Sequence, residues 1–164
     1  MTFRRSAFAL LCAIAMATGI LPTSPVGAVE TTTDQIVWLP CGQIECGKIS
    51  VPVTKDLNTS QTISLSLYRR KATSGSSPRT LLLLPDREYG PDTRTLTEKA
   101  VLTFGTAITK FNVVSIAPRG AIDAVIPTGS ETAIGTLNLA DDLEAVRAAL
   151  NVKKVSIMGW GSGA

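Results

Sequence analysis

The sequence contains no histidine and only three cysteines among its 164 residues. Histidine is the general base of the usual serine-hydrolase triad, so these residues do not supply that base. Metal sites built from histidine or several cysteines are excluded in the same way, and no cofactor is indicated. The net charge of +3 is spread over scattered basic residues, which gives no indication of a nucleic-acid partner. No oligomeric state is indicated either.

The first 28 residues have the pattern of a secretory signal peptide. Arg4 and Arg5 precede an apolar run over residues 7–20, and small residues follow up to Ala28. The run is shorter than the roughly 20 residues that span a bilayer, so we expect cleavage rather than a membrane anchor. The mature protein would then be secreted or held in the cell envelope, with 14 basic and 13 acidic residues.

Two cysteines, Cys41 and Cys46, remain after such cleavage. Because the chain would enter an oxidising compartment, their close spacing predicts a small disulfide loop. We expect residues 29–35 to be a flexible lead-in and residues 36–164 to belong to one α/β domain, which the sequence leaves incomplete.

The apolar pattern of this domain predicts a hairpin followed by alternating strands and helices. The predicted strands are residues 48–53, 62–70, 80–85, 111–117 and 154–158. Continuous apolar runs in the last three are typical of strands buried on both faces. Helices are predicted over residues 96–108 and 139–150, with Asp141 and Asp142 near the amino end of the second, where the helix dipole favours carboxylates. The order predicts an antiparallel hairpin and then a mostly parallel sheet flanked by helices.

Ligands bind such sheets at the carboxyl ends of the strands, so the loops at Pro85, Pro118 and Gly159 are predicted to cluster. The third loop belongs to residues 155–164, VSIMGWGSGA, in which an apolar strand runs into alternating glycines around a serine. This pattern indicates the strand and sharp turn of a nucleophile elbow, G-x-S-x-G. A plain glycine-rich loop is the alternative.

Several segments together resemble one family. They are WLPC with the second cysteine, GKISVPV, TISLSLYRRKAT, NVVSIAPRG and NLADDLEAVRAALNVKKVSIMGWGSG. In this order, the segments resemble the amino-terminal portion of secreted tripeptidyl or prolyl aminopeptidase-like α/β hydrolases of actinobacterial type. The resemblance implies the front half of an α/β-hydrolase fold and hydrolysis of amino-terminal peptide amides or related esters. It also implies a serine nucleophile at the elbow, with the acid and histidine of the triad in the second half.

Position by position, the elbow motif falls on Gly159, Gly161 and Gly163, with Gly161 at the centre where the family has serine. The turn of an elbow exposes only the central side chain to substrate, so Ser162 is one residue late. Centring the motif on Ser162 instead would place Trp160 where close packing favours glycine. Ser162 is therefore a weak candidate nucleophile, and the elbow is predicted to be inactive.

Two other family positions also differ. The glycine-rich loop after the first buried strand, which helps to form the oxyanion hole, is replaced by Asp86, Arg87, Glu88, Tyr89 and Gly90. Carboxylates at this position would oppose the negative charge that develops in the reaction. The family's aspartate before Pro-Arg-Gly is Ala117.

Three hypotheses follow. In the first, the chain is the amino-terminal piece of a secreted hydrolase-like protein, since a sheet that stops at a central strand leaves an apolar edge unpaired. In the second, it is a non-catalytic envelope protein that uses the hydrolase scaffold for binding. In the third, it is a small esterase in which another base, such as a lysine, activates Ser162.

Overall fold

A computed structural model describes residues 35–54, 60–86, 92–122 and 124–163. The predicted signal peptide, residues 1–28, and all but the last residue of the predicted lead-in, residues 29–35, lie outside these ranges. None of the helices within the described ranges is long and apolar enough to cross a membrane.

The described residues form one mixed sheet of six strands in the order β1-β2-β3-β5-β4-β6. The strands are β1 (Leu39–Cys41), β2 (Ile44–Pro52), β3 (Thr62–Arg70), β4 (Arg79–Leu84), β5 (Phe111–Ile116) and β6 (Ser156–Gly159). Strands β1, β2, β3 and β5 are joined by antiparallel pairs, whereas β4 runs parallel to both β5 and β6. The predicted hairpin is thus present as β2 and β3, with β1 added at its outer edge.

Helices connect the parallel strands. They are α1 (Thr93–Glu98), α2 (Ala100–Phe104) and α3 (Thr136–Ala149), with short 3-10 turns at Thr106–Lys110, Glu131–Ala133 and Gly161–Gly163. The Asp92 side chain caps α1 by accepting a hydrogen bond from the Thr95 amide at 2.8 Å. Gly105, at φ 77°, ends α2. The first helical segment therefore begins earlier than predicted and is divided at Lys99.

Alternate residues of β4 pack against opposite sides of the sheet. Leu82 belongs to the core that contains Val114 and Val146, whereas Leu81 and Leu83 pack with the core of α1 and α2. All three leucines are buried. The prediction that this strand is covered on both faces is confirmed.

A disulfide joins Cys41 to Cys46, with their Cα atoms 5.8 Å apart, as the sequence predicted. It lies in the tight hairpin between β1 and β2. Because β1 pairs with Ile44, Glu45 and Cys46, β2 begins at Ile44 rather than at the predicted residue 48. On the adjacent strand β3, the Arg69 guanidinium lies 4.1 Å from the ring centroid of Trp38 and donates to Glu45 at 2.6 Å.

The ion pairs of Glu45 predict a pH-dependent contribution to stability. The hydrogen bond from Arg69 holds the pKa of Glu45 below its ordinary value of 4.5, with burial opposing and Lys71 helping. The stabilisation is therefore present above pH 4.5 and is lost as the pH falls through the lower folded pKa. We expect Glu45→Gln to lower the melting temperature at about pH 7 and to lower it by less at about pH 3. An equal effect at both values, measured by thermal denaturation, would contradict this assignment.

Strand β6 is the last strand of the sheet within the described ranges, because it pairs with β4 alone. Its central residues Ile157 and Met158 have 55% and 40% of their surface exposed. Successive residues of a strand point to opposite faces, so both faces of β6 present apolar surface.

Candidate functional site

The carboxyl ends of β4, β5 and β6 lie at one edge of the sheet because the three strands are parallel. Leu84 at the end of β4 is in register with Gly159 at the end of β6. The Trp160 amide then donates to the Leu84 carbonyl at 3.4 Å, which draws the chain after β6 against β4. This edge holds the predicted elbow.

The chain turns sharply at Gly161, whose φ of +58° lies in the left-handed region that favours glycine. The turn continues as the 3-10 segment Gly161–Gly163, in which the Gly163 amide donates to the Trp160 carbonyl at 3.1 Å. Trp160 packs against the core of α1 and α2, with its ring centroid 6.1 Å from that of Phe104. A strand that runs into a turn of positive φ is the backbone arrangement that the elbow prediction requires.

Gly163 lets this turn lie directly on β4. A Cβ added at Gly163 would overlap the carbonyl oxygen of Leu84 and lie 2.9 Å from its carbonyl carbon. Both of these are backbone atoms of a buried strand, so they cannot rotate away. The glycine at this position is therefore required by close packing.

The side chain of Asp86 occupies the space in front of Gly161. A Cβ added at Gly161 would meet the Asp86 carboxylate, lying 2.5 Å from Cγ and 2.9 Å from Cβ of that residue. The sequence placed Asp86 in the loop that replaces the oxyanion loop, but it did not predict this approach. The other four residues of that predicted loop, Arg87, Glu88, Tyr89 and Gly90, lie outside the described residues.

Ser162 follows Gly161 within the 3-10 segment, but its side chain also lies outside what the structure describes. The expectation that its hydroxyl is displaced from the reactive position stays a prediction.

A buried ion pair braces the same edge of the sheet. Arg119, three residues after β5, donates to both carboxylate oxygens of Asp142 on α3, at 2.6 and 2.7 Å. It also donates to the carbonyls of Val53 at 2.5 Å and Pro52 at 2.8 Å, at the end of β2. The side chains of Arg119 and Asp142 are only 5% and 2% exposed. The Arg119 guanidinium thus connects the ends of β2 and β5 to α3, the helix that precedes β6.

The position of Asp142 corrects the prediction made for it. Asp141 and Asp142 were expected near the amino end of the helix, but α3 begins at Thr136 and has no acidic residue in its first turn. Burial raises the pKa of the Asp142 carboxyl, while the hydrogen bonds and charge of Arg119 act in the opposite direction. Its role is to pair with Arg119. Its helical spacing from Leu139 and Val146 was the signal for burial, because these three residues share one helix face.

Ala117, which stands where the sequence resemblance would place an aspartate, is fully buried, and its amide donates to the Ser66 carbonyl at 3.0 Å. It contributes no charge to the edge. Among the described residues, no group of three or more histidine, cysteine, aspartate or glutamate side chains is placed to hold a metal ion.

Two solved structures are similar to this chain. A probable hydrolytic enzyme from Pseudomonas aeruginosa PAO1 superposes with a TM-score of 0.56 and 18% identity, over 72% of this chain and 34% of that one. A cold-adapted esterase from an Arctic intertidal metagenomic library gives a TM-score of 0.42 and 15% identity, over 77% of this chain and 52% of that one. No protein-family model and no curated protein matches the sequence.

The fold is that of the front half of an α/β hydrolase: an antiparallel hairpin followed by parallel strands with helices between them. This confirms the predicted fold class. The chain spans about a third of the length of the Pseudomonas enzyme that it matches.

Proposed function

We propose that this protein is a secreted or envelope-associated relative of serine aminopeptidases that does not carry out serine hydrolysis. In this proposal it uses the α/β-hydrolase scaffold to bind peptide amides or related small esters without cleaving them. The observation that carries the proposal is Gly161, which holds the left-handed tip of the elbow and has no side chain to act as a nucleophile. The ligand class comes from the sequence resemblance alone.

One further feature supports the absence of serine chemistry. The Asp86 carboxylate lies at the tip of the elbow, where an acyl-transfer reaction would develop negative charge. This carboxylate and the missing side chain at Gly161 both oppose serine hydrolysis.

A fluorophosphonate probe tests the proposal directly, because it labels activated serine nucleophiles. We expect the purified, folded protein to remain unlabelled under conditions that label an active serine hydrolase in the same tube. Amino-terminal peptide amides should likewise show no hydrolysis above the uncatalysed rate.

Ser162→Ala is the matched control for this experiment. Label on the wild-type protein that disappears in Ser162→Ala would identify Ser162 as a nucleophile and overturn the proposal in favour of the small-esterase hypothesis. Label that persists in the variant would indicate a different reactive residue, which would also contradict it.

Binding without cleavage has its own readout in Trp160, which forms part of the elbow. We expect titration with a tripeptide amide to change the fluorescence of Trp160, and a Trp38→Phe variant removes the signal of the other tryptophan. Absence of any change up to millimolar peptide would contradict peptide binding at this edge.

A further inference from the structure

Asp86 and Gly161 come together through the register of the sheet. Leu84 of β4 pairs with Gly159 of the parallel strand β6. Asp86 lies two residues after Leu84, and Gly161 lies two residues after Gly159. Beyond the strand ends, the hydrogen bond from the Trp160 amide to the Leu84 carbonyl and the close packing of Gly163 on Leu84 keep the two chains together. The approach of Asp86 to Gly161 is therefore a consequence of strand pairing rather than of a chance side-chain conformation.

We infer that Asp86 is a second, independent lock on the elbow: its side chain fills the space that a side chain at position 161 would need, so such a side chain costs less stability when residue 86 is alanine and least when it is glycine. The inference deepens the proposed function and rests on it only in treating residue 161 as the reactive position. It identifies Asp86 as the residue that limits the size of the side chain that fits at position 161.

The geometry separates two parts of the clash. The carboxylate group of Asp86 can rotate away from a new Cβ at position 161, because χ1 has other staggered rotamers. The Cβ atom of Asp86 cannot, because its position is set by the backbone, and it would lie 2.9 Å from the new Cβ. Rotation therefore relieves only part of the overlap. Alanine at position 86 should keep the overlap that involves the Cβ atom of residue 86, and glycine should remove it.

A stability cycle tests this inference without requiring any catalytic activity. The variants are Gly161→Ala alone and in combination with Asp86→Ala or Asp86→Gly, each compared with the same background lacking the change at 161. Any contact that Asp86 itself makes is lost in both members of a pair, so it cancels in the comparison.

We expect Gly161→Ala to lower the melting temperature by about 5–8 °C in the wild-type background. In the Asp86→Gly background the drop should shrink to about 2–4 °C, which is the strain of alanine at a positive φ. The Asp86→Ala background should give an intermediate drop. Equal drops in all three backgrounds would overturn the inference.

Gly135→Ala supplies the matched control. A Cβ at Gly135 would have no neighbour closer than 4.0 Å, so the only cost of this change is that of alanine at the N-cap of α3, and it should be identical in the wild-type and Asp86→Gly backgrounds. If Gly161→Ala yields no folded protein, the double variant with Asp86→Gly decides the question. Recovery of folded protein supports the lock, and failure to recover it overturns the lock.

The outcomes for the lock and for the proposed function are distinguishable. Fluorophosphonate labelling of the wild-type protein would overturn the proposed function whatever the melting temperatures show. Equal melting-temperature drops would remove the lock and leave an unlabelled protein as the proposed function requires.

Discussion

Replacing Arg119 by methionine is expected to lower the free energy of unfolding by about 3–5 kcal/mol. Methionine keeps much of the length of the side chain but removes the charge and every donor. The carboxylate of Asp142, only 2% exposed, would then lose both of its hydrogen bonds from Arg119. The carbonyls of Val53 and Pro52 would lose the same donor group.

The loss of stability in Arg119→Met comes from leaving the buried Asp142 carboxylate without a partner, rather than from a large net stabilisation by the ion pair. Burial already raises the pKa of Asp142 against the opposing effect of Arg119, so the ionised pair carries a desolvation cost at neutral pH. Removing both charges should therefore be tolerated better than removing one. We expect Arg119→Met with Asp142→Leu to recover most of the stability that Arg119→Met alone loses, as measured by urea denaturation.

Arg94→Met is the matched control on α1. Arg94 pairs with Glu98 at 2.9 Å, but its side chain is 50% exposed, so water replaces the lost partner. Its unfolding midpoint should stay close to that of the wild type. If Arg119→Met were as mild as Arg94→Met, the buried brace would not hold the strand ends as the structure indicates.

The sequence predicted the strands of the fold more reliably than the contacts between them. Alternation of apolar and polar residues placed β3 over residues 62–70 with the bounds that the structure shows. The apolar run of β4 identified a strand covered on both faces. These features depend on local composition, which a single sequence contains.

Contacts between distant segments depend on register and loop paths, which the sequence does not contain. The pairing of Arg119 with Asp142 joins residues 23 positions apart, and Asp142 was assigned instead to the dipole of its own helix. The approach of Asp86 to Gly161 required the register of β4 and β6. At the elbow, the glycine pattern predicted the turn at Gly161, but only the structure showed what fills the space before it.

Gly163→Ala is expected to cost about 3 kcal/mol, at the upper end of the range for overpacking. The backbone of Gly163 does not have the positive φ of Gly161, so the cost comes from the overlap with Leu84 and not from strain at residue 163 itself. Leu84 is 2% exposed and pairs with Gly159 of β6, so β4 cannot move to make room.

The elbow should instead be pushed away from β4, which breaks the hydrogen bond from the Trp160 amide to the Leu84 carbonyl. Because β6 is the last strand of the described sheet, part of the loss should appear as local opening rather than global unfolding. Faster hydrogen exchange at the Trp160 amide, with a smaller change in the exchange rates of the β3 amides, would show this directly. Gly135→Ala is the control, because a Cβ there has open space and the change should affect only the N-cap of α3 and leave exchange at Trp160 unaltered. A change of less than about 0.5 kcal/mol in Gly163→Ala, with unaltered exchange at Trp160, would mean that the turn does not rest on β4.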